Sequence, residues 1–189
     1  MRGSADRAAP YGAPAIGAGF RRIVEDDYRA ICDLVATEEE LFLFYAQGRF
    51  PLTVGQVGKL VARRMEPTVM DCDGSVAGFG NFYGYREGRS VVIGNVIIDP
   101  ALRGRGLGRR FVQRMIDLAF DRYDLPSVKI HVYNRNLPAL ALYGELGFRP
   151  CAMKVKRDYA GERVMLFTLR LKRAARRSTD ARAGFGDGR

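Results

Sequence analysis

One glycine-rich stretch determines how the rest of the chain is interpreted: Arg103-Gly104-Arg105-Gly106-Leu107-Gly108-Arg109-Arg110. It follows an apolar run from Val91 to Asp99 and opens a long segment with helical periodicity. Glycines let a backbone approach a ligand closely, and the first amides of a helix have no partner inside that helix. Together with the helix dipole and the arginines, these amides predict a binding site for a phosphate or pyrophosphate group.

Two common phosphate-binding patterns do not fit this stretch. The dinucleotide pattern G-x-G-x-x-G fails because Arg109 stands at its last glycine position. The Walker pattern G-x-x-x-x-G-K-[ST] is absent from the chain. The pattern that remains is R-x-x-G-x-G, which on its own is equally typical of a glycine-rich turn into a helix.

A second block begins at Asn136, 28 residues after Gly108. It has the pattern N-x-x-A-x-x-x-Y-x-x-x-G-F, in which the tyrosine is Tyr143. The two blocks and the order of the predicted elements resemble the GNAT superfamily of N-acetyltransferases over about residues 20–171. The resemblance implies an enzyme that transfers the acetyl group of acetyl-CoA to a primary amine by direct attack. A protein N-terminus, a lysine or a small-molecule amine would each serve as the acceptor.

The periodicity of apolar residues predicts an α+β fold, and the resemblance implies the three-layer form of it. We expect a mixed, mostly antiparallel sheet of about seven strands with helices on both faces. Strands are predicted at Phe20–Val24, Thr68–Cys72, Val76–Tyr85, Ser90–Asp99, Ser127–Tyr133, Phe148–Lys156 and Arg163–Leu171. Helices are predicted at Glu25–Ala36, Glu38–Gln47, Thr53–Arg64, Leu107–Tyr123 and Asn136–Gly147.

The two ends of the chain differ in composition from the part between them. The first 19 residues hold six Ala, four Gly and two Pro, and residues 1–18 are predicted to form a disordered leader. Residues 172–189 carry six basic and two acidic side chains, so they are predicted to form a basic, disordered tail. One acetyltransferase domain over residues 19–171 lies between them.

The net charge of +10 favours polyanionic or phosphorylated ligands. It argues only weakly for nucleic acid, because +4 of it belongs to residues 172–189 and no predicted helix has a basic recognition face. No apolar run approaches the roughly 18–20 residues that span a bilayer, so no membrane association is expected. Three scattered cysteines and a single histidine give neither a disulfide framework nor a metal site. We therefore expect a cytoplasmic enzyme without a metal. The chain contains no G-x-S-x-G elbow, which argues against a serine hydrolase.

The resemblance also implies roles for individual residues in binding acetyl-CoA. The pyrophosphate would be wrapped by Arg103, Gly104, Arg105, Gly106, Leu107, Gly108 and Arg109. The strand residues Val96, Ile97 and Ile98 would pair their backbone with the pantetheine arm and polarise the thioester carbonyl. Asn136 would contact the same arm, a role compatible with capping a helix. Tyr143 would protonate the departing thiolate, since a phenol with a pKa of about 10 carries its proton at neutral pH.

His131 is the predicted general base. In the branch of the superfamily that acetylates ribosomal proteins, to which this segment is similar, a Glu stands five residues before the motif asparagine. Here that position holds His131, which is suited to accept a proton near neutrality. We expect the pH profile of kcat/KM to have an ascending limb with an apparent pKa of about 6.5. Strand alternation places His131 on the face of the strand opposite to that of the apolar Val128, Ile130 and Val132. Rival bases are Asp99, Asn95 or a chain of water molecules.

The sequence does not identify the acceptor amine. Glu38-Glu39-Glu40 beside Phe42, Phe44 and Tyr45 would attract a cationic amine into an aromatic pocket. Acids at the start of a helix are, however, more typical of a solvated face that complements the helix dipole. A catalytically idle acyl-CoA-binding module is the alternative function, and a homodimer is compatible with the sequence.

Overall fold

The computed structural model describes residues 17–174, and its centre is a seven-stranded sheet. The strands are β1 (Ala18–Arg22), β2 (Met65–Cys72), β3 (Ser75–Arg86), β4 (Ser90–Ile98), β5 (Ser127–Tyr133), β6 (Arg149–Arg157) and β7 (Arg163–Lys172). Their order across the sheet is β1-β2-β3-β4-β5-β7-β6. Every neighbouring pair is antiparallel except β4 and β5, which are parallel. The mixed, mostly antiparallel sheet predicted from the sequence is confirmed.

Helices cover both faces of the sheet. They are α1 (Asp27–Asp33), α2 (Glu38–Tyr45), α3 (Val54–Val61), α4 (Leu107–Asp117) and α5 (Leu137–Glu145). One apolar core packs α1, α2 and α3 on one face, and a larger core packs α4 and α5 on the other. After α4 the chain continues as a π-helical turn, Leu118–Arg122, where a single long helix was predicted. The three-layer α+β architecture is therefore confirmed.

The start of β2 differs from the prediction because of backbone features that the periodicity does not show. β2 begins at Met65, so Pro67 lies inside the strand. Glu66 has a φ of 47°, and the pairing of β2 with β3 shifts between Met65 and Thr68. A bulge of this kind tolerates proline within a strand.

The ends of the sheet also reach further than predicted. Ala18 pairs with Cys72 and is buried, so it belongs to β1 rather than to the predicted leader. Lys172 pairs with Ser127 and closes β7, so it belongs to the sheet rather than to the predicted tail. Positions 1–16 and 175–189 of those two predicted segments lie outside the described residues.

A bulge in β4 separates two halves of the sheet. β4 pairs with β5 only from Val91–Ile93 to Val128–Ile130. Directly after this pairing Asn95 has a φ of 52°, and the register of β4 against β3 shifts. Because the extra residue bends the strand, β4 and β5 diverge beyond Ile93. The divergence leaves a cleft at their carboxyl ends.

An ion pair between the half-buried Arg21 and the buried Asp27 fixes α1 to the edge of the sheet. The Arg21 guanidinium donates from Nη1 and Nη2 to the two carboxylate oxygens of Asp27, each at 2.7 Å. The Val24 amide donates to the same carboxylate at 2.8 Å. The hydrogen bond from Arg21 is the main reason why the pKa of Asp27 lies below its ordinary value. The carboxylate therefore contributes stability while it is ionised.

We expect Asp27→Asn to lower the free energy of unfolding by about 2 kcal/mol at pH 7, because the half-buried Arg21 guanidinium loses its main partner and keeps only Asp71. Asp27 has a lowered pKa in the folded state, so its contribution is present above about pH 4 and is lost as the pH falls. The difference between wild type and variant should therefore shrink in acid. Urea unfolding at several pH values measures it. Asp33→Asn is the matched control, since Asp33 forms only an exposed pair with Arg29; equal losses in both variants would contradict the prediction.

Candidate active site

The divergence of β4 and β5 opens a cleft of about 650 Å³. One wall is the backbone of β4 from Val96 to Ile98, and the opposite wall is α5 with Asn136 and Tyr143. The floor is the turn from Arg103 to Arg109 that leads into α4. The predicted cofactor-binding segments are therefore brought together around one cavity.

The turn at the floor depends on two glycines in the left-handed region. Gly104 has a φ of 76° and Gly106 a φ of 79°. Gly106 is the N-cap of α4, and its carbonyl accepts the first helical bond, from the Arg110 amide at 3.1 Å. The preceding amides, of Leu107 to Arg109, have no partner within the helix. Amides at a helix N-terminus, with the positive end of the dipole, are suited to hold an anionic group.

The arginine side chains of the turn are less available than the sequence predicts. Arg103 donates from Nε to the Ile98 carbonyl at 3.0 Å and from Nη1 to Glu40 at 2.7 Å. Arg109 forms an ion pair with Glu145 of α5. Backbone amides therefore carry the anion-binding capacity of the turn in this structure, and the two guanidinium groups link it to α2 and α5.

Two residues of the predicted binding stretch do not line the cleft. Leu107 is buried in the core beneath α4, as its place on the apolar face of that helix requires. Arg105 is exposed and is not among the residues that line the cavity.

Glu40 is a residue of the cleft that sequence analysis placed on a solvated face. Its carboxylate accepts a hydrogen bond from the Ala36 amide at 2.9 Å, while Thr37 Oγ1 accepts one from the Glu40 amide at 3.1 Å. Thr37-x-x-Glu40 is thus close to a capping box, a signal visible in the sequence. The contact with Arg103, 63 positions away, is not visible there.

α5 presents the two predicted residues of the second block. Asn136 caps the helix by accepting the Ala139 amide at 3.2 Å, and its side chain also lines the cleft. Tyr143 is buried, with 7% of its surface exposed, and it lines the same cleft. Burial raises the pKa of Tyr143 above its ordinary value. Its hydroxyl is therefore protonated at neutral pH and can serve as a proton donor.

A small cavity of about 40 Å³ adjoins the cleft between β4 and β5. It shares Val96, Asn136 and Tyr143 with the larger cavity and is lined by His131 in addition. Apart from Tyr133, no other lining residue among those the structure describes is titratable. The predicted acid, Tyr143, and the predicted base, His131, therefore both border one small space.

His131 occupies the face of β5 that strand alternation predicted. Val128, Ile130 and Val132 are buried in the core with α4, and His131 is half-buried on the other face. Tyr83 of β3 holds the imidazole, with its hydroxyl oxygen 2.7 Å from His131 Nδ1. The ring of Tyr83 crosses β4 at Gly94, where a Cβ would lie only 2.3 Å from Tyr83 Cε1. Gly94 therefore leaves the gap through which Tyr83 reaches His131.

Charges and burial set the protonation of this pair. Burial is the main cause that lowers the pKa of His131 below 6.5, and Lys129 and Lys154 lower it further. Burial raises the pKa of Tyr83 to about 12, although Arg64, 4.6 Å from its ring centre, acts in the opposite direction. At neutral pH the imidazole is therefore neutral and the Tyr83 hydroxyl is protonated.

The rival side chains Asn95 and Asp99 have hydrogen-bond partners of their own, although Asn95 also lines the small cavity beside His131. The Asn95 side chain donates to the Phe44 carbonyl at 2.7 Å and accepts from Arg64 Nε at 3.3 Å. Asp99 accepts the Ala101 amide at 2.8 Å and does not line the cavity that holds His131.

The aromatic residues of α2 do not form a pocket of their own, although Phe44 lines one side of the large cleft. Phe42 packs on Tyr133 with ring centres 4.4 Å apart, and Phe44 packs on Phe79 at 6.2 Å. Both phenylalanines are buried. They fill the layer between α2 and the sheet, so the idea of an aromatic pocket for a cationic amine finds no support here.

Two other features, a metal site and a membrane-spanning helix, are absent from residues 17–174. No cluster of three or more His, Cys, Asp or Glu side chains could hold a metal ion. None of the described helices is long and apolar enough to cross a membrane.

Comparisons with known proteins match this architecture. The model of the acetyltransferase (GNAT) family matches residues 23–148. A thialysine N-epsilon-acetyltransferase from Bos taurus is 25% identical over 124 residues, covering 64% of this chain and 70% of that protein. A spermine/spermidine N(1)-acetyltransferase from Bacillus subtilis is 26% identical over 107 residues, covering 53% and 68%.

A solved structure shows the same fold. The spermidine N-acetyltransferase from Vibrio cholerae, crystallised with CoA and spermine, superposes with a TM-score of 0.71 at 19% identity. The superposition covers 84% of this chain and 97% of that protein. The family match spans most of the folded chain, including both sequence blocks that border the cleft. The chain therefore belongs to the acetyltransferase (GNAT) family and is an acetyl-CoA-dependent N-acetyltransferase.

Proposed function

We propose that this enzyme acetylates a primary amine by direct attack of the amine on acetyl-CoA, with His131 as the base and Tyr143 as the acid. The observation that carries the proposal is the small cavity that both residues line. It opens on the cleft at the point where β4 and β5 separate. An amine and a thioester that meet there would have a proton acceptor and a proton donor beside them.

The residues of the cleft fit acetyl-CoA. The unpaired amides at the start of α4 suit a pyrophosphate, and the wide turn at Gly104 and Gly106 leaves open space where a Cβ would stand. Beyond Ile93 the edge of β4 that faces β5 is released from sheet pairing, so its backbone is available to a pantetheine arm. Asn136 and Tyr143 border the same space from α5.

The base must remove a proton before the amine can attack. An alkylammonium has a pKa of about 10 and is mostly protonated at neutral pH. In the tautomer suited to this task, His131 Nδ1–H donates to the Tyr83 hydroxyl oxygen, which leaves the Nε2 lone pair for the proton. Tyr83 then acts as a positioning residue that fixes the ring through the gap at Gly94.

The acid completes the transfer. Acetyl-CoA supplies the acetyl group as a thioester, the new C–N bond forms as the C–S bond breaks, and the thiolate needs a proton. Tyr143 donates that proton from its hydroxyl and regains one from solvent after the products leave. The attacking nitrogen loses its second proton to solvent as the amide forms, so one ammonium and one acetyl-CoA give the amide, the thiol and one released proton.

The experiment that tests the function is an acceptor screen with purified protein. Amines of different classes are supplied with acetyl-CoA, and free CoA thiol is measured with a thiol reagent. Release that depends on an amine supports the proposal. Binding of acetyl-CoA without release by any amine would favour the idle acyl-CoA-binding module instead.

We expect Gly106→Val to abolish stabilisation by acetyl-CoA. A ligand at 100 times its Kd raises stability by about 2.7 kcal/mol, which is a measurable rise in Tm. A β-branched residue cannot adopt the left-handed φ of Gly106 without strain, so the turn and its amides must move.

Gly74→Val is the matched control for backbone strain. Gly74 has a φ of 81° and also has open space around its Cβ position, but it lies in the β2–β3 turn. This variant should lose stability and keep the full shift with acetyl-CoA. If Gly106→Val kept the shift as well, the turn would not be the cofactor site.

A further inference from the structure

The sheet face beside His131 is uncovered over most of β5, β7 and β6, although Phe42 of α2 packs on Tyr133 of β5. The apolar core under α1, α2 and α3 includes no residue of these three strands. Lys129 lies two positions from His131 on β5 and directly opposite Arg170 of β7. Lys154 of β6 lies opposite Leu166, which pairs with Tyr133. Because directly paired residues share a face, Lys129, Arg170 and Lys154 lie on the same face as His131.

No acid among residues 17–174 forms an ion pair with Lys129, Arg170 or Lys154. Besides burial, Lys129 and Lys154 act on the pKa of His131, whereas Arg64 lowers the pKa of Tyr83 and Tyr133 raises it. Arg64 in turn contacts the neutral Asn95 side chain and the Tyr83 ring. A chain with a charge of +10 has other unpaired cations on its surface. Lys129, Arg170 and Lys154 differ in that they lie on the same sheet face as the candidate base.

Two features of this face are unfavourable without a ligand. Like charges directly opposite each other, as in Lys129 and Arg170, destabilise a sheet. In addition, the Arg170 Nε atom is buried and has no hydrogen-bond partner. A buried donor without an acceptor carries a free-energy cost, which the Arg170 side chain would recover by turning toward a bound anion. Both features point to a negatively charged group on this face.

We infer that the acceptor is a small amine that also carries a carboxylate or phosphate group, bound by Lys129, Arg170 and Lys154 while its amine lies at His131. The inference rests on the proposed function and names its substrate class. Residues two apart on a strand are separated by roughly 6.6 Å, so the amine and the anion would be a few bonds apart, as in an amino acid. Polyamines, which carry only positive charge, would be repelled by the same lysines.

The test compares acceptors that differ only in the anionic group. The pairs are L-lysine with cadaverine, 4-aminobutanoate with butylamine, and 2-aminoethyl phosphate with ethanolamine; spermidine is added as a polycation. kcat/KM is measured from CoA thiol release at about 50 mM and about 500 mM NaCl. We expect the anionic member to be preferred at least about tenfold in one pair or more, with the preference reduced at high salt. The carboxylate and phosphate pairs tell which anion is preferred.

Substitutions connect the preference to this face. Lys129→Gln and Lys154→Gln should each reduce the preference for the anionic acceptor at least about threefold, mainly through KM. Each should also raise the pH at which the ascending limb of kcat/KM occurs, because His131 loses a neighbouring positive charge. Lys59→Gln is the control, because Lys59 is an exposed cation on α3. It should leave both the preference and the limb unchanged. Equal or better turnover of the uncharged or polycationic members, or a preference that survives both substitutions, would overturn the inference.

A binding measurement separates this inference from the proposed function. Calorimetry of each pair with the CoA-loaded enzyme reports affinity without turnover. Tighter binding of the anionic member to wild type, lost in Lys129→Gln, supports the inference even if no thiol is released. Equal binding of both members overturns it. Absence of thiol release with every amine counts against the proposed function alone.

Discussion

Tyr143→Phe should reduce kcat by about 10²–10⁴-fold while leaving the affinity for acetyl-CoA nearly unchanged. The ring of Tyr143 packs near Phe148, with ring centres 6.0 Å apart, and phenylalanine keeps this packing. Only the hydroxyl is lost, and with it the proton that the departing thiolate needs. Initial rates at saturating acetyl-CoA, together with the shift in Tm by acetyl-CoA, measure the two quantities separately.

The control for this substitution is Tyr28→Phe, which removes a hydroxyl from α1 on the other side of the sheet. It should retain the wild-type kcat. If Tyr143→Phe also retained it, a water molecule or another group would protonate the thiolate. A large loss of affinity for acetyl-CoA in Tyr143→Phe would instead indicate that the hydroxyl binds the cofactor rather than acting as the acid.

The parts of the site that were predictable from sequence are those fixed by local rules. The turn at Gly104 and Gly106 needs left-handed backbone, which favours glycine at those places. Asn136 caps α5 because its short side chain reaches the Ala139 amide. The face of β5 that carries His131 follows from strict alternation with buried Val, Ile and Val residues.

The parts that were not predictable depend on contacts between distant strands. Tyr83 is 48 positions from His131, and their contact requires both the register of β3 with β4 and the missing side chain at Gly94. The link between Glu40 and Arg103 likewise depends on how α2 lies against the turn. Neither register nor helix placement has a signature in local periodicity.

The same reason explains why the charge around His131 was not foreseen. Lys129 is two positions away in sequence, but Lys154 and Arg170 come beside it only through the order β5-β7-β6. In that order β7, the last of the described strands, lies between β5 and β6. The predicted limb at about pH 6.5 assumed an unperturbed imidazole. Burial and the two lysines move the expected limb below that value.

His131→Gln should remove the ascending limb of kcat/KM and lower turnover at pH 7, by about 10²-fold or more if the imidazole is the base. The wild-type limb should lie below pH 6.5, because burial, Lys129 and Lys154 all disfavour the imidazolium. Deprotonation activates the base, so the rate rises with pH through this limb and reaches a plateau near neutrality. Glutamine keeps a polar side chain of similar reach but does not titrate. Rates over about pH 5–9 with one acceptor measure the profile.

Tyr83→Phe distinguishes a base from a structural histidine. Phenylalanine fills the same gap over Gly94 but cannot accept a hydrogen bond from the imidazolium. The limb should therefore persist in this variant and move to lower pH, since the charged form of His131 loses a partner. His131→Glu should also keep a limb at lower pH, because a carboxylate titrates below an imidazole. If His131→Gln kept the wild-type rate and profile, the histidine would be structural. The amine would then lose its proton to water or to a group on the substrate side.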